Sequence, residues 1–260
     1  MTAPLVSIIT PTFGRTELLP SIAKCVFEQS FSDFEWLVLD DGPTPSKFMQ
    51  ELSDSRVRYR HSGKKAAIGG KRNRLVQEAR GSIIAQFDDD DFYGPNYLAK
   101  MLTEMDQNNV DIVKFFGFFL YNRMFKTFGY WDLMTKVGPH WIFSAVPPSL
   151  MILTEQNNQK LKDTHLGFGF SFVFKRKVWE HIKFEEINHN EDAPFISSAL
   201  QRFKLVGVHD YRCTCIHVIH ETSTSSCFPQ YMIPSFLVAQ LFPAAREFLD
   251  RLGALSPLTV

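Results

Sequence analysis

The sequence predicts an α/β protein built on an open, mostly parallel sheet with helices packed against it. Through the first ninety residues, short apolar runs rich in β-branched residues alternate with segments of helical periodicity. Three of those runs end in polar residues, at Pro11-Thr12, at Asp40-Asp41 and at Asp88 to Asp91. In open sheets ligands bind beyond the carboxyl ends of the strands, so three polar ends on one edge mark that edge as the place for a site.

The first strand is LVSIITPTF at 5–13, a continuous apolar run of the kind that is buried on both faces. Thr16 is placed to cap a helix over 17–30, where Leu18, Leu19, Ile22, Val26 and Phe27 recur at helical spacing. FEWLVL at 34–39 is a second buried strand, closed by Asp40-Asp41-Gly42, and VRYRH at 57–61 continues the alternation as a short strand. Gly69-Gly70 opens the helix KRNRLVQEAR, and SIIAQF leads into the four aspartates. A helix over 95–108 and a long strand over 111–121 follow. Residues 122–165 show little periodicity and read as an irregular aromatic lobe. FGFSFVFKR at 168–176 reads as a strand, VWEHI as a helical segment, NHNED at 188–192 as a polar turn, and the next ten residues as a helix. LVGVH and TCIHVIH are β-rich, and the tail from Tyr231 to Leu252 is amphipathic, with Pro243 splitting it.

Composition narrows the function. The chain has 260 residues, 45% of them apolar and 22% charged, as in a globular protein with a substantial core. Twenty-eight basic residues balance twenty-eight acidic ones, which gives no support for a nucleic-acid binder. Cys25, Cys213, Cys215 and Cys227 form no CxxC pair and read as buried thiols of a reducing compartment. MTAPLVSIITPTFGR lacks the basic and apolar regions of a signal peptide, and no window approaches 18 uncharged apolar residues. A cytoplasmic location without a transmembrane segment is the expectation.

Asp88, Asp89, Asp90 and Asp91 repel one another unless a cation or hydrogen bonds compensate them. At the end of a strand such a cluster suits a hard divalent ion, which in turn suits phosphates. A solvated acidic turn is the plainer account of any acidic run, and the strand–carboxylate–helix context argues against it here.

Together, VSIITPTFGR, LVLDDG, GGKRN, IAQFDDDDF and NED resemble, in order and spacing, a family 2 glycosyltransferase of the GT-A fold. The resemblance covers residues 5–200 and only loosely the last sixty. It implies a Rossmann-like central sheet flanked by helices with a C-terminal helical tail. It also implies one domain over 1–260, with a nucleotide-binding half at 1–110, an acceptor-side half at 111–230 and the tail at 231–260. The implied activity is an inverting, hexosyltransferase-type transfer from a nucleotide-sugar, a UDP-sugar by preference. The acceptor is a hydroxyl of a saccharide or glycoconjugate, and the cofactor is Mn²⁺ or Mg²⁺.

By that resemblance Asp88 and Asp90 match the acids of the DxD motif, Asp90 binding the metal directly and Asp88 contacting the ribose or the metal through water. Asp89 belongs to the donor-side set by position and is expected to face solvent as a spectator, while Asp91 caps or orients the following segment. Asp41 matches the acid that recognises uracil or ribose, and Asp40 caps its turn. Pro11, Thr12 and Phe13 line the base pocket, with Arg15 in the same segment, and Phe13 has core packing as an equal alternative. Gly70, Arg72 and Asn73 match the family's segment at the helix start, where Lys71 and Arg74 are expected to be solvated. Glu191-Asp192 matches the acidic pair before a helix, Asp192 as general base and Glu191 as acceptor-binding helper. Helix capping is the simpler account of both. His220 aligns with a third metal ligand better than His217 does, followed by the Thr/Ser-rich ETSTSS. His140, His165, His181 and His209 carry no motif. The segment 167–169 matches the floor of the sugar site, and Trp131 and Trp141 either stack on a sugar face or pack in the core. The tail either covers the core, forms a homodimer contact or rests on a membrane surface. A sugar-1-phosphate nucleotidyltransferase is the alternative enzyme, although its GxGTR-like signature is missing from PTFGRT. A non-catalytic nucleotide- or carbohydrate-binding module is the alternative outside enzymes.

Overall fold

A computed structural model describes residues 3–160, 166–221, 223 and 226–253. His165 and, in the Thr/Ser-rich stretch, Thr222, Thr224 and Ser225 lie outside the described residues. In chain order the first elements are β1 (Val6–Thr12), α1 (Leu19–Phe27), β2 (Phe34–Asp40), α2 (Lys47–Glu51), β3 (Val57–His61), α3 (Ile68–Glu78) and β4 (Ile83–Gln86). Next come β5 (Phe92–Tyr93), α4 (Tyr97–Gln107), β6 (Ile112–Asn122), β7 (Thr127–Asp132), β8 (Gly138–Ile142), β9 (Ser149–Leu153) and α5 (Glu155–Lys160). The last third holds β10 (Val173–Lys175), α6 (Arg176–His181), α7 (Asp192–Ala199), β11 (Leu205–His209), β12 (Cys215–Ile219), β13 (Tyr231–Ile233), α8 (Ser235–Leu241) and α9 (Arg246–Arg251). The chain forms two compact units: Met1–Asp90 with Asn96–Lys114 and Asp163–Val208, and Asp91–Pro95 with Phe115–Lys162 and His209–Val260.

The first unit is a mixed, mostly parallel sheet with strand order β10-β4-β1-β2-β3. β1 pairs in parallel with β2 and β4, and β2 with β3, while β10 runs antiparallel to β4 and to the start of β6. β1 and β2 are buried along their whole length, as the continuous apolar runs predict. β3 alternates in exposure, as an edge strand should. The buried run FEWLVL also contains Glu35, whose charge is compensated by Ser7 Oγ at 2.7 Å and the guanidinium groups of Arg80 and Arg58 at 2.8 and 2.9 Å. Residues from β1, β2, α3, β10, α6 and α7 build one apolar core. The register sets Thr12 beside Asp40 and Asp40 beside His61, so the carboxyl ends of β1, β2 and β3 are level.

The second unit carries the order β13-β7-β6-β12-β5, with β8 and β9 as a separate hairpin. Residues 122–165, expected to be irregular, instead carry β7, β8 and β9 in their described part. Their strands are short and paired through aromatic cross-strand contacts such as Tyr121 on Phe128, ring centroids 4.6 Å apart, which no single-strand periodicity reveals. The tail divides at Pro243 as predicted. Val238, Phe248 and Leu249 are buried, and the Phe248 and Phe242 rings pack on Phe92 and Phe119, so the tail covers this unit's core.

Two further expectations need correction. The first helix starts at Leu19, not after a Thr16 cap, and Pro20 sits in its opening turn, where its fixed φ and missing N–H cost nothing. FGFSFVFKR is not one strand: a 3₁₀ turn at Gly169–Ser171 shortens it to β10. All four cysteines are buried, and none forms a disulfide.

Candidate active site

The carboxyl edge of the first unit gathers most of the residues that the motifs single out. Beyond β1, Thr12 Oγ1 donates to Asp89 Oδ2 at 2.5 Å, and Arg15 Nη1 bridges Asp89 and Asp90 at 2.9 and 2.6 Å. Asp89 is therefore buried and bonded rather than solvent-facing. Burial pushes its carboxyl up to about 7; the neighbouring Asp90 charge adds to the shift, and Arg15 and Thr12 oppose it. The side chains of Asp88 and Asp90 remain 24% and 16% exposed, against 4% for Asp89. The two acids matched to the donor and its metal are thus the accessible ones, and the third anchors the turn that presents them.

Asp41 is buried at the end of β2, where its carboxylate accepts from Lys71 Nζ and from the Ala66 amide, each at 2.7 Å. Lys71 also reaches the Thr12 carbonyl at 3.1 Å. It is not a solvated helix charge, and helical spacing explains why. Lys71 and Arg72 lie one turn before the buried Leu75 and Val76, on the stripe of α3 that faces the sheet. That periodicity was the signal available for Lys71. Arg74 is exposed and pairs with Glu78 at 3.4 Å, as expected. Asp40 closes its turn by accepting from the Gly42 amide and is held by the Tyr59 hydroxyl at 2.7 Å. Phe13 is 41% exposed and does not pack in the core; the Lys65 ammonium lies 4.4 Å from its ring centroid.

Arg72 is the hub of the edge. Its guanidinium is buried and bonds through Nη1 to both Glu191 and Asp192, while Nη2 reaches Asp88 Oδ1 at 3.3 Å. One side chain of α3 thus draws together an acid after β4 and two acids at the start of α7. Glu191 occupies the cap position without a side-chain cap bond, while Asp192 is the acid of the first turn, where negative charge suits the helix N-terminus, and it bonds Arg72 as well. Asp192 Oδ1 turns to Arg72, and its Oδ2 accepts from the Gly169 amide at 2.9 Å. Its side chain keeps 15% exposure, against 6% for Glu191. Burial pushes Asp192 up to about 7, opposed by Arg72 and reinforced by the charges of Glu191 and Asp88.

Other expected site residues take different parts. Asn73 has its amide engaged by packing: it donates to the Phe184 carbonyl and accepts from Trp179 Nε1 and the Phe184 amide, at 2.8 to 3.0 Å. At Gly69 a Cβ would lie 1.8 Å from the Glu185 carbonyl oxygen, whereas at Gly70 it would meet only the Glu186 side chain, at 3.6 Å. In the second unit Asp91 bonds the ring of His217 at 2.9 Å and the Val218 amide at 2.8 Å, so it orients β12. Burial opposes protonation of His217, but Asp91 and Cys227 outweigh it and hold the ring well above the ordinary imidazole range. His220, also in the second unit, is largely buried just after β12, its amide donating to Ser223 Oγ at 2.9 Å. Trp131 is buried between Phe118 and Phe228, a packing role, and Trp141 is half-buried across from Leu150.

Among the described residues, no three His, Cys, Asp or Glu side chains gather as a ready metal cluster. The donor chemistry still suits a hard divalent ion, because Mg²⁺-type sites take one or two carboxylates and complete themselves with water and substrate phosphate oxygens. Asp90 and Asp88 offer that set of accessible carboxylates. No helix among the described residues is long and apolar enough to cross a membrane.

The chain has relatives among known proteins. The uncharacterised glycosyltransferase EpsJ of Bacillus subtilis (strain 168) is 26% identical over 230 residues, which are 80% of this chain and 61% of that protein. The Escherichia coli UDP-Glc:alpha-D-GlcNAc-diphosphoundecaprenol beta-1,3-glucosyltransferase WfgD is 30% identical over 111 residues, 42% of this chain and 44% of that protein. The chain therefore spans about two-fifths to three-fifths of the length of these relatives. Among solved structures, the mannosyltransferase PcManGT of Pyrobaculum calidifontis, in complex with GDP-Man and Mn²⁺, has a TM-score of 0.57 at 14% identity. That match covers 86% of this chain and 59% of that one. The family described as Glycosyl transferase family 2 matches residues 7–183, and the chain belongs to it.

Proposed function

We propose that this chain transfers a sugar from a nucleotide-sugar, a UDP-sugar by preference, to a hydroxyl of a saccharide or glycoconjugate with inversion at the anomeric carbon. The observation that carries the reading is the Arg72 clamp, which brings Asp192 beside the donor-side acid Asp88 while leaving both accessible. Family membership supports the reaction class, and the name of WfgD supports a UDP-linked donor.

In this reading Asp192 removes the acceptor proton as the hydroxyl attacks. A carboxyl raised by burial toward neutrality is a stronger base than an ordinary aspartate, and general base catalysis of this kind is worth ~10²–10⁴-fold. One base on one face and a departing diphosphate on the other give a single displacement, hence inversion. Glu191 neutralises Arg72 and assists at the acceptor side. Asp41, held by Lys71 and Ala66, presents a fixed acceptor to the nucleoside, and exposed Phe13 is available to pack on the base. A Mn²⁺ or Mg²⁺ held by Asp90 and Asp88 would neutralise charge gathering on the diphosphate. In this reading the stretch 1–110 serves the nucleotide and 111–230 the acceptor.

The test is release of UDP from a UDP-sugar with Mn²⁺. Asp192→Asn is expected to keep donor affinity while turnover falls at least about a hundredfold. Asp90→Ala is expected to abolish metal-dependent turnover. Full turnover in Asp90→Ala would remove the metal role, and loss of donor binding in Asp192→Asn would reduce Asp192 to a structural part.

A further inference from the structure

Lys114, the third residue of β6, is wholly buried, and it stands in the apolar run DIVKFFGFFLY, where nothing in the pattern asks for a charge. A buried ammonium is costly unless its protons find acceptors. Its Nζ donates to the Leu166 carbonyl at 2.8 Å and to the Gly167 carbonyl, and the Phe172 ring centroid lies 5.3 Å away. Those two carbonyls begin the turn 166–169. Within it Phe168 adopts the left-handed region at φ 62°, and Gly169 ends it by donating its amide to Asp192 Oδ2 at 2.9 Å. A Cβ on Gly169 would stand 2.2 Å from that same oxygen, so the turn is closed tightly onto the carboxylate. Asp192 is therefore gripped on two sides, by Arg72 at Oδ1 and by the turn at Oδ2.

We propose that Lys114 is the positioning residue for Asp192: by clamping the carbonyls of Leu166 and Gly167 it fixes the Gly169 amide, and that amide aims the carboxylate. The inference rests on the reading of Asp192 as base. Arg72 alone would allow the carboxylate to rotate about its Oδ1 contact, and the second grip removes that freedom. Substitution at Lys114 therefore acts on turnover without touching the nucleotide pocket. Burial pushes the ammonium down to about 7, opposed by the Asp192 charge, which agrees with the two groups sensing each other.

The experiment measures kcat and donor KM for UDP release from UDP-glucose with Mn²⁺ in Lys114→Met, Lys114→Gln, Gly169→Ala and the Lys114→Met/Gly169→Ala pair, with a melting curve for each. The expected result is a kcat about tenfold or more lower in each single variant with KM within about twofold. The double variant is expected to be no worse than the weaker single one, because both changes release the same carboxylate. Unchanged kcat at Lys114, a parallel loss of kcat and affinity, or losses that multiply in the pair would overturn the proposal. If neither Lys114 variant melts cooperatively, Lys114→Arg, which keeps donors for the two carbonyls, decides. Retained kcat at constant KM supports the proposal, and a cooperatively melting Lys114→Arg that loses kcat and affinity together overturns it, since Gly169→Ala meets Asp192 directly and reports on the carboxylate alone. Asp192→Asn runs beside them: full turnover there refutes the base reading itself, whatever Lys114 does.

Discussion

Arg72 keeps its charge without access to water, a state sustained only because three carboxylates surround it. Removing one partner from a buried ionic cluster costs about 3–5 kcal/mol, whereas an exposed pair such as Arg60–Glu78 is worth about 1 kcal/mol or less. Arg72→Ala should accordingly lower the urea midpoint severely, and Arg60→Ala should leave it nearly unchanged. A further prediction concerns pH. Asp192 must be ionised to accept a proton, and its carboxyl lies near 7 instead of the ordinary 3.8. Turnover should therefore fall as pH drops through about 7, and a profile flat down to pH 5 would contradict the raised basicity. Residue roles were only partly legible in the sequence. Asp88, Asp90, Asp41 and Asp192 stand out because acids at strand and helix ends are conspicuous. Asp89 and Lys71 read as solvated because a charge within a polar run shows nothing of the partners that bury it, here Thr12 with Arg15 and Asp41.

At the scale of the element, α3 shows how one helix serves both packing and chemistry. Its Leu75 and Val76 anchor it on the sheet, and the same stripe carries Lys71 and Arg72 to the carboxyl edge. Its two glycines look equivalent in sequence and are not. A methyl group at Gly69 must displace the Glu185 carbonyl, whereas at Gly70 it meets only the Glu186 side chain at 3.6 Å. Gly69→Ala should thus destabilise by about 1–3 kcal/mol. Gly70→Ala should be neutral or stabilising by up to about 1 kcal/mol, since alanine is the better helix former. Equal melting temperatures for the two variants would refute this. β1 and β2 were legible because parallel strands covered on both faces are unbroken apolar runs. The hairpins after Asn122 were not, because their stability comes from partners across the ladder.

For the whole molecule the decisive measurement is a ligand-dependent melt. Ligand that binds only the native state stabilises by mass action, about 2.7 kcal/mol at a hundred times Kd. UDP with Mn²⁺ is expected to raise the melting temperature more than GDP with Mn²⁺, and the reverse order would reassign the donor base. The main strands of the first ninety residues, the family, and the three polar strand ends could be read from the chain itself. These depend on local periodicity and on polar residues at strand ends, which are properties of contiguous sequence. Which acids are accessible, that Glu191 and Asp192 both bond Arg72, and that Asn73 bonds Phe184 and Trp179 were decided only in three dimensions. The reason is physical: the state of a charge is set by burial and by partners far along the chain, and neither is encoded within a window of neighbouring residues.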